Sequence, residues 1–318
     1  MVLDRDLLKF LLSSRALSFI GVHTITQKMR ATKRDVSAVL PKRRPESHKG
    51  EYGRLLVIGG SSRYTGAPAL VGLAALRSGV DLVTIAAPAE AANIISSFSP
   101  DLITIKLPCR DLEPAALPEL EGEFERSTAV VVGSGLGTMA STRDAVIELA
   151  RKLRGENPSL PALFDADGLK ALAGERTLFK GMPWVLTPHA REFEVLTGVD
   201  LPLDVKGRLG HVKAAAGELG CTLLLKAYID VIAGPNGEVK LNYTGNPGMT
   251  VGGTGDVLAG IVGAFLSQGA KPFRAAVAGA WTCGRAGDIC YKDKGYEFIA
   301  SDVVEKLPEV FKEVRASR

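Results

Sequence analysis

The 318-residue chain is 46% hydrophobic and 23% charged, a balance that excludes long disorder and supplies a core without metal or disulfide staples. Its 39 Lys and Arg against 35 Asp and Glu leave a net charge of +4, too small for the basic footprint of a nucleic-acid binder. Abundant glycine (35 residues) with few aromatics (6%) points to an α/β protein whose tight turns bring backbone close to a ligand.

Near the N-terminus, Leu7, Leu8, Leu11, Leu12, Leu17, Phe19 and Ile20 form an apolar stretch, broken by Lys9 and Arg15 and preceded by Asp4 and Asp6. A secretory signal needs a basic start and an unbroken apolar run, and a membrane span needs about twenty apolar residues. The stretch meets neither requirement, and its spacing predicts an amphipathic helix. Lys42-Arg43-Arg44, beside Pro41 and Pro45, reads as a solvated linker. Residues 1–45 are therefore expected to be a helix and a basic linker ahead of one domain over 46–318, with no membrane partner.

Regular alternation begins near residue 50. Strands are predicted over Arg54–Ile58, Asp81–Ala86, Ile103–Lys106, Ala129–Val132, Ala162–Phe164, Trp184–Leu186 and Thr222–Leu225. Helices over 66–79, 89–98, 141–154, 190–197 and 203–219 fall between them. Asp230–Ala233 and Glu238–Leu241, around Gly234-Pro235-Asn236-Gly237, form a β-hairpin. Helices over 255–268, 272–291 and 301–316 close the chain. The pattern predicts an α/β fold with a mostly parallel central sheet and helices on both faces. Ligands of such sheets sit at the carboxyl ends of the strands. The cysteines Cys109, Cys221, Cys283 and Cys290 contain no C-x-x-C pair, and Cys283 and Cys290 lie about two helical turns apart, so four reduced thiols in a cytosolic protein are expected.

The strongest chemical signal is Asn246-Pro247-Gly248-Met249-Thr250-Val251-Gly252-Gly253-Thr254-Gly255-Asp256, opening directly into an apolar helix. Glycines let successive N–H groups turn toward one point, and the helix start adds free donors and a positive dipole end. The product is a cradle for a phosphate or a phosphoryl transition state. Asp256 can act there as general base, or merely cap the helix. No Lys-Ser or Lys-Thr follows, so this is not a Walker A loop. Gly133-Ser134-Gly135-Leu136-Gly137 lacks the dinucleotide spacing and suits a loop passing close to a ligand. In Thr187-Pro188-His189, His189 can bind a substrate hydroxyl or amide, while Glu192 caps the following helix. Asp165 and Asp167, at a strand end, either hold Mg²⁺ through water or begin a helix as N-caps. Lys226, ending an apolar strand, can reach a phosphate as a point charge.

Taken in order, K-G-E-Y-G-R-L-L-V-I-G-G-S (49–61), Y-T-G-A-P-A-L (64–70), G-S-G-L-G (133–137), F-D-A-D-G-L (164–169), T-P-H-x-x-E-F (187–193), L-L-K (224–226) and N-P-G-M-x-x-G-G-T-G-D-V-L-A-G (246–260) carry a family resemblance. The chain resembles the ADP- or ATP-dependent (S)-NAD(P)H-hydrate dehydratases of the ribokinase-like superfamily over about residues 35–310.

The resemblance implies a metabolite-repair hydro-lyase. Its substrate is the S epimer of hydrated NADH or NADPH, and ADP or ATP, with Mg²⁺, drives removal of the water. Ala67, Gly135, His189 and Asp256 match substrate positions. Lys226, Ala227, Tyr228, Ile229, Asp230 and Gly255 match adenine-nucleotide positions, and Asn246, Gly252 and Thr254 join them as parts of the cradle. Asp256 is the catalytic base, and the amides of Gly252, Gly253 and Gly255 stabilise the transferring phosphoryl. The family usually has Lys-Gly where this chain has Lys226-Ala227. A homo-oligomer is expected, with NAD(P)H-hydrate epimerase as a separate functional partner, because about 45 residues cannot encode that domain.

Three other readings compete. A ribokinase-like kinase for a small alcohol, such as a vitamin precursor, shares the cradle but leaves a stable phosphorylated product. A nucleotide sensor gains nothing from a carboxylate beside its phosphate, and an NAD-dependent dehydrogenase lacks its fingerprint here.

Overall fold

The computed structural model describes residues 29–316. The helix expected near residues 7–20 lies outside them. Among the described residues, nine strands form one sheet: β1 (Arg54–Ile58), β2 (Leu82–Pro88), β3 (Ile103–Leu107), β4 (Ala129–Val132), β5 (Ala162–Phe164), β6 (Trp184–Leu186), β7 (Thr222–Leu225), β8 (Asp230–Ala233) and β9 (Val239–Asn242). Their spatial order is β3-β2-β1-β4-β5-β6-β7-β8-β9. The strands from β3 across to β7 run parallel, and β8 and β9 are antiparallel additions made by the expected hairpin.

Alternate strand residues feed two separate cores, as a sheet covered on both faces requires. Leu55, Val57, Val83, Ile85, Val131, Leu163, Val185 and Leu224 face one core. It is filled by α1 (Lys33–Val39), α2 (Gly66–Arg77), α3 (Ala89–Phe98), α9 (Thr254–Ser267), α10 (Pro272–Lys294) and α11 (Ala300–Arg315). Leu56, Ile58, Val130, Val132, Phe164, Trp184, Leu186 and Leu225 face the other. There they meet α4 (Glu121–Arg126), α5 (Ala140–Glu156), α6 (Ala166–Ala171), α7 (Ala190–Thr197) and α8 (Val205–Leu219). At Gly260 an added Cβ would stand 2.3 Å from the Val71 carbonyl oxygen, so glycine there lets α9 lie directly on α2. That contact fixes where the N-terminus of α9 points.

The described part of the N-terminal 45 residues does not stand apart from the body. Ala31 N–H donates to the Leu241 carbonyl at 2.8 Å, extending the β9 edge. Thr32 and Asp35 form a capping box that starts α1, and Val36 and Leu40 are buried in the first core. The side chains of the basic cluster are exposed, as a solvated linker would have them, but Arg43 is tied to the body. Arg43 pairs with Asp81 at 3.2 Å, donates to the Gly79 carbonyl at 2.6 Å and lies 4.4 Å from the centroid of the Tyr52 ring. Other elements absent from the sequence reading are the 3₁₀ turns Pro114–Leu120 and Arg176–Phe179 and α4.

Candidate active site

The candidate residues gather where the parallel strands end. β1 ends in Gly59-Gly60 and leads to α2; β4 leads into the 133–137 loop; β5 ends at Asp165, β6 at Thr187-Pro188-His189 and β7 at Lys226. The 133–137 loop can press on its neighbour only through glycine. Gly133 has φ +136°, and a Cβ there would fall 1.8 Å from the Asp165 carbonyl oxygen. The Ser134 carbonyl accepts from Gly60 N–H at 2.9 Å, tying the loop to the end of β1. A Cβ on Gly135 would lie 2.9 Å from Tyr64 Cβ and 3.3 Å from Ala67 Cβ. Two expected substrate positions, Ala67 and Gly135, are therefore neighbours.

Opposite them stands the cradle. Gly253 is the N-cap of α9 with φ +95°, and a side chain there would collide with Leu70 and Ala300 at 2.7 and 2.8 Å. Gly252 faces open space. A Cβ on Gly255 would stand 3.6 Å from Lys226 Nζ and 3.9 Å from Asp165 Oδ2, so the helix start, the lysine and the aspartate converge. The loop ahead of the cradle is braced by its own side chains. Asn246 Oδ1 accepts from Gly248 N–H at 3.0 Å, and its Nδ2 donates to Asp288 at 3.3 Å. The Thr254 hydroxyl turns to the carbonyls of Met249 and Val251 at 2.8 and 3.1 Å. Asn246 thus ties the loop to α10, and Thr254 closes it on itself.

Asp256, in the first turn of α9, makes no capping hydrogen bond. Burial pushes its carboxyl up to about 6. The Ser134 hydroxyl and Lys226 pull it down, while Asp165 and Asp167 push it up. Ser134 is itself buried, and its hydroxyl forms no hydrogen bond of ordinary length, so its effect on Asp256 is one of proximity.

Lys226 is held at 2.6 Å by Asp165 Oδ1, which also accepts from the Thr187 hydroxyl at 2.8 Å, and lies 3.9 Å from Glu192 Oε2. Burial opposes its charge, but Asp165, Glu192 and Asp256 outweigh burial and raise its pKa. Lys226 thus reaches the cradle already paired. His189 begins α7: its Nδ1 accepts from Arg191 and Glu192 N–H at 3.2 and 3.3 Å, while Glu192 accepts from His189 N–H at 3.0 Å. With Nδ1 an acceptor, the neutral ring carries its proton on Nε2, which lies 3.4 Å from Glu192 Oε1 in a half-exposed imidazole. The segment after Lys226 is a locked turn. Asp230 accepts from Ala227 N–H and Asn242 Nδ2, each at 3.0 Å, and burial raises its carboxyl to about 6. Asp230 is half-buried as a residue, but its carboxylate points inward; Tyr228 projects outward, 72% exposed.

Of the two, Asp165 begins a helix, one of the roles expected, and Asp167 lies inside its first turn. Asp165 occupies the N-cap position of α6 without a side-chain cap, being used by Lys226 and Thr187. Asp167 accepts from Gly137 N–H at 2.9 Å and pairs with Lys170 at 3.0 Å. Sequence reasoning did not anticipate the parts played by Thr187 and Ser134, although both stood inside motifs it quoted. A basic-rimmed groove lined by Arg77, Pro308, Phe311, Lys312 and Arg315 lies at the end of α11 and shares no residue with this cluster.

Residues 55–309 match the family described as NAD(P)H-hydrate dehydratase. The chain is 46% identical over 270 residues to a bifunctional NAD(P)H-hydrate repair enzyme of Pyrobaculum aerophilum, covering 85% of this chain and 52% of that protein. It is 39% identical over 280 residues to an ADP-dependent (S)-NAD(P)H-hydrate dehydratase of Cenarchaeum symbiosum, covering 87% and 95%. A crystal structure of the ADP/ATP-dependent NAD(P)H-hydrate dehydratase from Bacillus subtilis, co-crystallised with ATP/Mg²⁺, superposes with a TM-score of 0.74 at 29% identity, covering 90% of this chain and 98% of that one. This chain spans about half the length of the bifunctional curated relatives it matches. The fold, the glycine-rich start of α9 and the family match agree: the chain belongs to the NAD(P)H-hydrate dehydratase family.

Proposed function

We propose that the chain dehydrates the S epimer of hydrated NADH or NADPH, driven by ADP or ATP, and releases the dihydronicotinamide, phosphate and AMP or ADP. The observation that carries this reading is the position of Asp256. It lies at the start of α9, with Lys226 and its turn on one side and the 133–137 loop, beside Ala67, on the other. A nucleotide on the first side and an alcohol on the second would meet at its carboxylate.

The residues divide the work by chemistry. Asp256 accepts the proton of the substrate hydroxyl as that oxygen bonds the terminal phosphorus and the nucleotide oxygen leaves. The α9 N-terminus, with the amides of Gly252, Gly253 and Gly255, faces the charge on the transferring group. Lys226 adds a fixed positive charge, and His189 Nε2–H offers a donor to the substrate. Phosphorylation turns a poor leaving group into a good one. The C–O bond then breaks with phosphate departing, the neighbouring ring carbon loses a proton, and the double bond returns.

Among the described residues no group of three His, Cys, Asp or Glu is placed to hold a metal. Mg²⁺ therefore fits as an ion carried on the nucleotide phosphates, where it neutralises charge, with no cage of protein ligands. The unpaired state of all four cysteines supports a cytoplasmic setting. A homo-oligomer, and an epimerase partner that supplies the S epimer, complete the reading.

The test is incubation with hydrated NADH and with hydrated NADPH, each with ADP and with ATP. Return of dihydronicotinamide absorbance with one phosphate released per turnover is expected. A stable phosphorylated alcohol without free phosphate would identify a kinase instead.

A further inference from the structure

The substrate side of the site carries a cation that the reaction above does not use. Arg63 is exposed, and its guanidinium carbon lies 5.3 Å from the centroid of the Tyr64 ring. It makes no ion pair among the described residues. Its loop is fixed from both ends: Ser62 N–H and Oγ both donate to Asp111 at 3.0 Å, and Ser61 N–H donates to the Tyr64 carbonyl at 3.1 Å. Tyr64, still 45% exposed, packs its Cβ against Gly135. Arg63 is therefore seated beside Tyr64, on the loop that adjoins the Ala67–Gly135 side.

Charge gives the position a purpose. The site floor holds Asp165, Asp167, Glu192 and Asp256, opposed by Lys226 and Lys170. A dinucleotide carries a pyrophosphate, and in NADPH a 2′-phosphate as well, so it approaches a surface of its own sign. A guanidinium stacked on an aromatic ring is pre-organised to meet a phosphate with paired donors.

We propose that Arg63, seated on Tyr64, is a specificity-determining residue that binds a phosphate of the dinucleotide substrate. The inference rests on the functional reading above for the identity of that substrate. Either the pyrophosphate or the 2′-phosphate supplies the same chemistry.

The test compares wild type, Arg63→Ala and Arg63→Lys. With Arg63→Ala, KM for the hydrated dinucleotide should rise about tenfold at unchanged kcat, since one charge-assisted contact is lost. Arg63→Lys should recover part of that loss. ADP affinity by calorimetry should not move. An equal rise for hydrated NADH and NADPH assigns the pyrophosphate, and a larger rise for NADPH hydrate assigns the 2′-phosphate. Binding of NADH and NADPH, followed by dihydronicotinamide fluorescence, gives a readout independent of turnover. A wild type that binds dinucleotide more tightly than Arg63→Ala but fails to dehydrate the hydrate would sink the functional reading and leave this inference standing. Unchanged KM and unchanged fluorescence binding would overturn the inference, as would an equal loss of ADP affinity.

Discussion

The ammonium of Lys226 is held 2.6 Å from Asp165 Oδ1, so the ends of β7 and β5, which are not adjacent strands, are joined by one buried ion pair. Glu192, at 3.9 Å, shares the same cation. Lys226→Met leaves two buried carboxylates without their cation, Asp165 keeping only the Thr187 hydroxyl and Glu192 its contacts with His189. Stability should fall by about 3 kcal/mol or more, as when one member of a buried pair is deleted. Adding Asp165→Asn should recover much of the loss in thermal unfolding without restoring nucleotide affinity. The wild-type pair raises the lysine pKa above 10.5, so its contribution persists through neutral pH and disappears only at more alkaline pH.

Asp256→Asn removes the proton acceptor and keeps the shape. Turnover should drop by about 10²–10⁴-fold, while ADP binding in calorimetry stays the same or tightens. The folded-state pKa of Asp256 is raised from 3.8 to about 6, so protonation favours the fold. The associated stability is full below pH 3.8 and is lost as pH rises through about 6. The variant should therefore melt higher than wild type at pH 7 and no higher at pH 4. Near wild-type turnover would leave Asp256 without a role, because it makes no capping bond either.

A base with a pKa of about 6 gives a rate that rises through pH 6 and levels above it. Asp165 and Asp167 push that limb up, and Lys226 and Ser134 draw it down. Ser134→Ala should move the limb to higher pH and slow the enzyme more at pH 6 than at pH 8. A uniform loss across the pH range would show that the serine only supports the loop.

α1 belongs to the body, and its loss should be felt as stability. Removing residues 1–28 should leave turnover intact, since every candidate site residue lies well beyond them. A cut after residue 34 also removes the Ala31–Leu241 bond and the Thr32 cap; it should lower the melting temperature yet spare the chemistry, since every site residue lies beyond residue 60. Val36→Ala should cost about 1–3 kcal/mol.

Ala227 departs from the glycine usual in the family, yet Ala166 (φ +48°) is the only non-glycine with positive φ among the described residues. Ala227 is thus unstrained. Ala227→Gly should lose up to about 1 kcal/mol through added chain freedom. Nucleotide affinity should stay within tenfold; a larger fall would separate this backbone from the ligand.

Most strands were legible because a run buried on both faces, such as Ala129–Val132, is apolar throughout and stops at glycine. α6 was legible only as one of two alternatives at Asp165 and Asp167, since Asp-Ala-Asp-Gly also reads as a turn and the helix's first residue has φ +48°. α1 was hidden by its polarity, with Val36 its only buried residue, although Thr32-x-x-Asp35 already carried the capping signature. In the site, the cradle and Asp256 could be read because they are contiguous. The Asp165–Lys226 pair spans 61 positions and depends on strand order, which no local pattern encodes.

The two borders of the sheet are finished differently. On the β9 side the chain covers its own edge, through the Ala31–Leu241 hydrogen bond and the Lys240–Asp35 ion pair at 3.0 Å. On the β3 side Ile103 is 47% exposed beside Ile94 and Phe98 of α3, with the exposed Lys106 as the charge on that strand. An open strand edge is a template for unwanted pairing, and a lysine on it is a common guard. Crowding or partial unfolding should therefore begin aggregation at β3, and Lys106→Val should speed it while leaving catalysis, which rests on residues outside β3, untouched.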